Sequence, residues 1–166
     1  RMEIPVITGI NGTAGGGGFS LAITGDIIFS IKDAKFTLAY TNAGLSPDGS
    51  STYYLPRMVG IKRAKELMLT NRVFTAYEAL EMGLIDKVLD TQEDLTKELR
   101  IQAETFANGP REAYASVKKL LNLTYTNGLE TQMEIEGLKI ADSAESSDGQ
   151  EGLAAFSEKR KPIFNE

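Results

Sequence analysis

Four consecutive glycines, Gly15-Gly16-Gly17-Gly18, follow the apolar stretch Ile4 to Ile10 and the pair Asn11-Gly12. Without side chains, their backbone N–H groups can approach a ligand closely. At the start of a helix those groups also carry partial positive charge that suits an oxyanion. The competing account is packing, since the same glycines permit a tight turn and a close helix approach with no ligand at all. Spacing alone leaves both accounts open. Neither nucleotide-binding pattern fits. A Walker loop needs Lys and then Ser or Thr after its last glycine, where this chain has Phe19-Ser20. The dinucleotide fingerprint fails because Gly15 and Gly17 are followed by Ser20 instead of Gly or Ala.

The chain has no Cys and no His, which removes disulfides, thiol nucleophiles, imidazole bases and the usual zinc patterns. Acid–base chemistry is left to carboxylates, Tyr, Lys or bound water. One carboxylate has a defined setting, Asp48 in Leu45-Ser46-Pro47-Asp48-Gly49. Pro-Asp-Gly is an ordinary turn sequence, and Asp48 would also serve to cap a helix beginning near Ser50. Lys159, Arg160 and Lys161 fall near a predicted helix end, where cations complement the helix dipole whether or not a ligand is present.

With 166 residues, 42% hydrophobic and 25% charged, the chain is in the range of one globular domain with a substantial core. A formal net charge of -5 argues against a nucleic-acid partner, which usually requires a clustered cationic surface. No apolar run reaches the roughly eighteen residues of a membrane span, and the opening RMEIPVITGI lacks the layout of a signal peptide. The expectation is a soluble protein with no membrane partner and no metal. Its expected location is cytoplasmic, or an organellar matrix if a targeting segment lies upstream.

The elements that must position these residues follow from pattern. Ile4 to Ile10 reads as a strand buried on both faces, Phe19 to Ile23 as a short helix closed by Gly25, and Ile27-Ile28-Phe29 as a second buried strand. Ala34 to Ala39 predicts another strand, followed by a turn-rich stretch from Asn42 to Ser51. Ile61 to Leu69 predicts a helix. Thr75 and Glu78 have the spacing of a capping box opening a helix that Gly83 ends, and Ile85 to Leu89 predicts a strand. Amphipathic stretches over Leu95 to Ala107, Arg111 to Leu121 and Leu129 to Ala141, with a last helix from Gly149 to Lys159, predict a helical tail. The division expected is an α/β part over residues 1–90 and a helical part over residues 91–166. A strand buried on both faces needs more neighbours than these few short strands supply, so the chain is expected to enter a larger sheet partway through.

The wider pattern is more specific than any one motif. Ile4-Pro5-Val6-Ile7 through Asn11-Gly12, Ala14, Gly16-Gly17-Gly18 and Leu21-Ala22 to Asp26-Ile27 resembles the central signature of the enoyl-CoA hydratase/isomerase, or crotonase, family. Further matches follow in order: Leu55-Pro56-Arg57 with Val59-Gly60, Leu69-Thr70-Asn71-Arg72, Ala76 through Glu78-Ala79 to Gly83-Leu84-Ile85, and Glu151-Gly152 with Ala155 to Arg160. The resemblance covers essentially the whole chain. It implies an α/β fold of crotonase type, the ClpP/crotonase spiral of ββα units, here truncated at its N-terminus and followed by a helical trimerisation region. It also implies an acyl-CoA thioester substrate of fatty acid metabolism, no cofactor, and a homotrimer or dimer of trimers.

The resemblance extends to single residues. In the family two backbone N–H groups form an oxyanion hole for the thioester oxygen, and Gly17 is similar in position to the residue giving one of them, with Gly16 beside it. The other lies in an upstream segment this chain does not contain, so the isolated chain is expected to be an incomplete catalyst. Family hydratases, which are lyases, use two glutamates at positions where this chain has Ser20 and Tyr40. Neither Ser nor Tyr replaces a carboxylate base at neutral pH. Asp48 matches the place where several family isomerases carry their proton-shuttling Asp, and where the 4-chlorobenzoyl-CoA dehalogenase carries its nucleophilic Asp. An isomerase needs one base, and an apolar surround of Leu45, Tyr40 and Phe19 would suit it. Isomerisation is therefore the leading expectation. Hydration, a dehalogenase-like reaction and a non-catalytic acyl-CoA-binding role remain as alternatives. Phe156 and Lys159 match positions that meet a neighbouring subunit's CoA in family trimers, the one flanking adenine and the other reaching a phosphate.

Overall fold

The apolar opening pairs with the apolar run that follows the glycines, and this pairing builds the first sheet. In the computed structural model, which describes residues 2–164, β1 (Ile7–Ile10) lies parallel to β3 (Ile27–Ile31), with Ile7 opposite Ile27 and Ile10 opposite Ser30. β6 (Lys87–Leu89) joins the other side of β3, also parallel. β1 is thus an edge of this sheet among the described residues. A second small sheet is formed by β2 (Ala14–Gly15), β4 (Lys35–Thr37) and β5 (Phe74–Thr75), in that order. β2 and β5 are too short to show any periodicity in the sequence.

Between the strands run α1 (Gly17–Ala22), α2 (Ser51–Val59), α3 (Ile61–Thr70) and α4 (Ala76–Glu81). α2 carries Pro56 inside it, a residue that argues against a helix in a sequence reading. α4 opens with the capping box its spacing predicts. Thr75 Oγ1 accepts the Glu78 amide at 3.2 Å, while the Thr75 amide donates to Glu78 Oε2 at 2.9 Å. That amide, with the Arg72 guanidinium at 2.8 Å, holds the Glu78 carboxyl below its ordinary value. The predicted terminator Gly83 has φ +73°, a left-handed conformation that glycine adopts without cost.

The core of this part gathers Phe19, Phe36, Phe74, Leu38, Leu55 and Leu67, each 2% exposed or less. Phe36 stacks on Phe74 at 5.4 Å, and Phe19 meets Phe74 edge-on at 6.1 Å. The strand–helix order of this unit is thereby tied together by three aromatic rings drawn from α1, β4 and β5.

Four longer helices complete the chain: α5 (Gln92–Ala107), α6 (Arg111–Leu123), α7 (Leu129–Glu145) and α8 (Ser147–Glu158). Two units result, one Val6–Gln102 and the other Arg1–Pro5 with Ala103–Glu166. The division falls inside α5. In the second unit, Leu129, Met133 and Ile140 on α7 are 70%, 61% and 70% exposed, and their spacing puts all three on one helix face. No helix among the described residues is long and apolar enough to cross a membrane.

The end of the second unit is held by charge. Glu151 accepts two hydrogen bonds from Arg160, at 2.6 and 2.8 Å, and a third from the Ile163 amide at 2.8 Å. These bonds, Arg160 first, lower its carboxyl from an ordinary 4.5 to about 2. A depressed carboxylate stabilises the folded arrangement at pH values above its ordinary range, and that contribution is lost as the pH falls toward the folded value. The protection of the Ile163 amide, its exchange rate taken relative to the intrinsic rate at each pH, is therefore expected to fall between about pH 4.5 and 2, and Glu151→Gln should remove that fall. Because the pair is exposed and solvent-screened, global stability should change little. A protection factor at Ile163 with the same pH dependence in both proteins would contradict the assignment.

Candidate active site

The glycine run joins a strand to a helix, with Gly15 ending β2 and Gly17 opening α1. Gly16 precedes α1 with φ +53° and ψ -124°, a conformation closed to residues with side chains, and its amide donates to Thr37 O at 3.2 Å. Gly17 and Gly18 follow as the first two residues of α1. The first N–H groups of any helix have no acceptor within it, and those of Gly17 and Gly18 find none among the described residues. Both residues are exposed, and amides at a helix start carry partial positive charge.

Three residues that the sequence singles out separately are joined next to these amides. Tyr40 Oη donates to Asp48 Oδ1 at 2.6 Å and lies 2.9 Å from Ser20 Oγ. An ionised carboxylate can only accept, and a phenol has one proton. With that proton given to Asp48, Ser20 is the donor to Tyr40. The string runs outward from Ser20, fully buried, through half-buried Tyr40 to exposed Asp48. A methyl group added at Gly17 would meet Tyr40 Oη at 4.0 Å, which places the phenol beside the start of α1.

The backbone around the string is set by left-handed residues. Ala39 has φ +57° immediately before Tyr40, while Gly49 and Ser50 have φ +58° and +68° immediately after Asp48. For Ala and Ser this conformation costs about 1 kcal/mol or more each, and such strain persists only where the surroundings enforce it. Part of that enforcement comes from Asn71, the left-handed residue closing α3, which is 6% exposed. Its amide group donates to Thr41 Oγ1 and, at 3.2 Å, to Asn42 Oδ1. Thr37 Oγ1 donates to the Asn71 carbonyl at 3.0 Å. The turn after Tyr40 is thereby fastened to the end of α3.

Several expectations need correction. Asp48 does not cap α2 through its side chain; Ser50 occupies the position before the helix, and Asp48 contributes its carbonyl to Ser51 Oγ at 3.1 Å. The apolar surround expected for Asp48 is not built in this unit. Phe19 turns its ring into the core against Phe74, and Leu45 is 63% exposed. Of the three, Tyr40 hydrogen-bonds the carboxylate. Phe156 and Lys159 belong to the helical unit, where Phe156 is 86% exposed on α8 and Lys159 closes that helix with φ +56°. Asn71 is a supporting residue that sequence reasoning misses. A signal for it exists, since Asn is the residue after Gly most at ease in a left-handed helix end.

Comparison with known proteins adds the lineage. Residues 1–166 match the family described as Enoyl-CoA hydratase/isomerase. A Rhodobacter capsulatus protein named Probable enoyl-CoA hydratase is 38% identical over 97% of this chain and 62% of its own length. The 1,2-epoxyphenylacetyl-CoA isomerase of Escherichia coli is also 38% identical, over 99% of this chain and 62% of its own. The crystal structure of an enoyl-CoA hydratase from Polaromonas sp. JS666 superposes with a TM-score of 0.91 at 34% identity, covering 98% of this chain and 63% of that one. The chain thus spans a little over three-fifths of the length of these three proteins. Equal identity to a protein named as a hydratase and one named as an isomerase leaves the reaction to be argued from the site.

Proposed function

We propose, starting from the fact that the chain belongs to the enoyl-CoA hydratase/isomerase family, that the protein shifts the double bond of an enoyl-CoA thioester with Asp48 as its base. One observation carries this reading: the two positions where family hydratases hold glutamates are occupied by Ser20 and Tyr40, and both are bonded into the support of Asp48. Neither position leaves a second carboxylate to activate a water, whereas one base is enough for isomerisation.

The proposed steps balance without a co-reactant. Asp48 takes the proton from C2 of a 3-enoyl thioester, and the electrons of that C–H bond form the C1–C2 double bond of a dienolate. Negative charge on the thioester oxygen is met by the Gly17 N–H, and in the family a second amide from another segment completes the hole. Asp48 then returns the proton at C4, leaving the double bond between C2 and C3. The other proposals concern assembly. The exposed face of α7 would pack on a second copy in a trimer, and Phe156 and Lys159 would flank the adenine and reach a phosphate of a neighbour's CoA.

The test offers the complete protein 3-enoyl-CoA and 2-enoyl-CoA separately. Conversion of the first into the second is expected, with no water added. Water addition without migration of the double bond would overturn the reading. Chloride release from a 4-chlorobenzoyl-CoA would replace it with the dehalogenase alternative, and tight binding with no turnover would replace it with a binding role.

A further inference from the structure

The Pro47-Asp48-Gly49 turn lies directly on the side chain of Ser20. A Cβ on Gly49 would come within 2.8 Å of Ser20 Cβ, and Gly49 also needs its left-handed φ of +58°. The fit is tight: a side chain at Gly49 would collide with Ser20, which is itself fully buried. The same Ser20 hydroxyl supplies the proton that Tyr40 accepts, and it lies 3.4 Å from the Gly16 carbonyl on its other side. The residues that displace the hydratase glutamates therefore share one packing and hydrogen-bonding unit with Asp48.

We propose that Ser20 and Tyr40 are positioning residues for Asp48. Tyr40 occupies Oδ1 and leaves Oδ2 to take and return the substrate proton, while Ser20 sets the height of the turn that carries the carboxylate. The proposal rests on the isomerase reading above and adds to it which oxygen acts and what holds it there. Three kinds of evidence converge on it: the graded burial of the string, the steric fit of Gly49 over Ser20, and the left-handed residues bracketing the segment from Ala39 to Ser50. A tyrosine serving only as a wall of the acyl pocket would need neither of the two hydrogen bonds that Tyr40 makes.

The test compares Tyr40→Phe, Ser20→Ala and Ser20→Thr in the complete protein, with 3-enoyl-CoA turned over in D2O. A carboxylate held in one pose passes the same proton from C2 to C4, whereas a loosened one exchanges it with solvent. Tyr40→Phe is expected to lower kcat about tenfold with KM changed less than about twofold, and to raise deuterium incorporation at C4. Ser20→Ala should move both quantities in the same direction by less. Ser20→Thr keeps the hydroxyl but adds a methyl group in the crowded space under Gly49, and it should match Tyr40→Phe. An unchanged kcat and deuterium content in Tyr40→Phe, or a loss confined to KM, would overturn the proposal.

A readout without substrate separates this proposal from the reaction it builds on. The Tm shifts of Tyr40→Phe and Asp48→Ala should be non-additive in the double variant, because both remove the same bond. Additive shifts would overturn the string. Non-additive shifts in a protein that hydrates and does not isomerise would sustain the string and reject the isomerase reading alone.

Discussion

Asp48→Asn is expected to lower kcat for a 3-enoyl-CoA about 1,000-fold, within the range that one positioned acid–base group supplies. That loss corresponds to about 4 kcal/mol in the barrier. The substitution is well suited to the question because it changes so little else. Asparagine keeps the shape of the side chain, and its oxygen still accepts the proton that Tyr40 donates at 2.6 Å. Asp48 is exposed, so no buried charge is removed, and Tm should stay close to that of the parent protein. What the amide lacks is the capacity to take a proton from C2. KM should change little, since the carboxylate acts on the reacting proton and not on the body of the substrate. A variant retaining isomerisation within about threefold of the parent would remove Asp48 from the reaction and, with it, the carboxylate that the Tyr40 bond holds beside the Gly17 amide.

The identity of that carboxylate is legible in the sequence only through the family pattern. On its own, Pro47-Asp48-Gly49 supports two local readings, a turn and a helix cap, and the side chain serves neither. Its partner Tyr40 lies on the far side of a short 3-10 turn, and Ser20 sits in a different helix. Such partnerships are made by the tertiary fold, and no local spacing encodes them. The same contrast runs through the architecture. Thr75 and Glu78 announce their helix because a capping box joins neighbours in sequence, and Gly83 announces its end because only local backbone conformation is at stake. β2 and β5 give no sign, being two residues each and fixed only by pairing with β4. Phe19 misleads for a related reason. Being next to the glycines in sequence suggests a place in the site, but a helix turns its successive residues by about 100°, so Phe19 enters the core while Gly17 faces out.

Gly17→Pro is expected to lower kcat about 100- to 1,000-fold, the usual consequence of removing one donor from an oxyanion hole. Proline deletes the N–H, and at the first position of a helix it does so with little disturbance. Its fixed φ suits a helix start, and the missing hydrogen bond is one the helix never makes. Gly17 is not among the residues with positive φ, and a Cβ there would meet only the Tyr40 hydroxyl, at 4.0 Å. The residue before it is compatible as well, because Gly16 lies outside the helical region that a following proline disfavours. Gly17→Ala provides the matched control, adding nearly the same bulk at Cβ while keeping the N–H. Gly18→Ala provides a second, since nothing lies within 4 Å of its added Cβ. Both should stay within a few-fold of the parent in kcat. The deciding quantity is thus the ratio of Ala to Pro at position 17. A ratio of about 100 or more assigns the loss to the hydrogen-bond donor, whereas equal activities would mean that charge on the thioester oxygen is met elsewhere and that the glycines serve only the packing of α1.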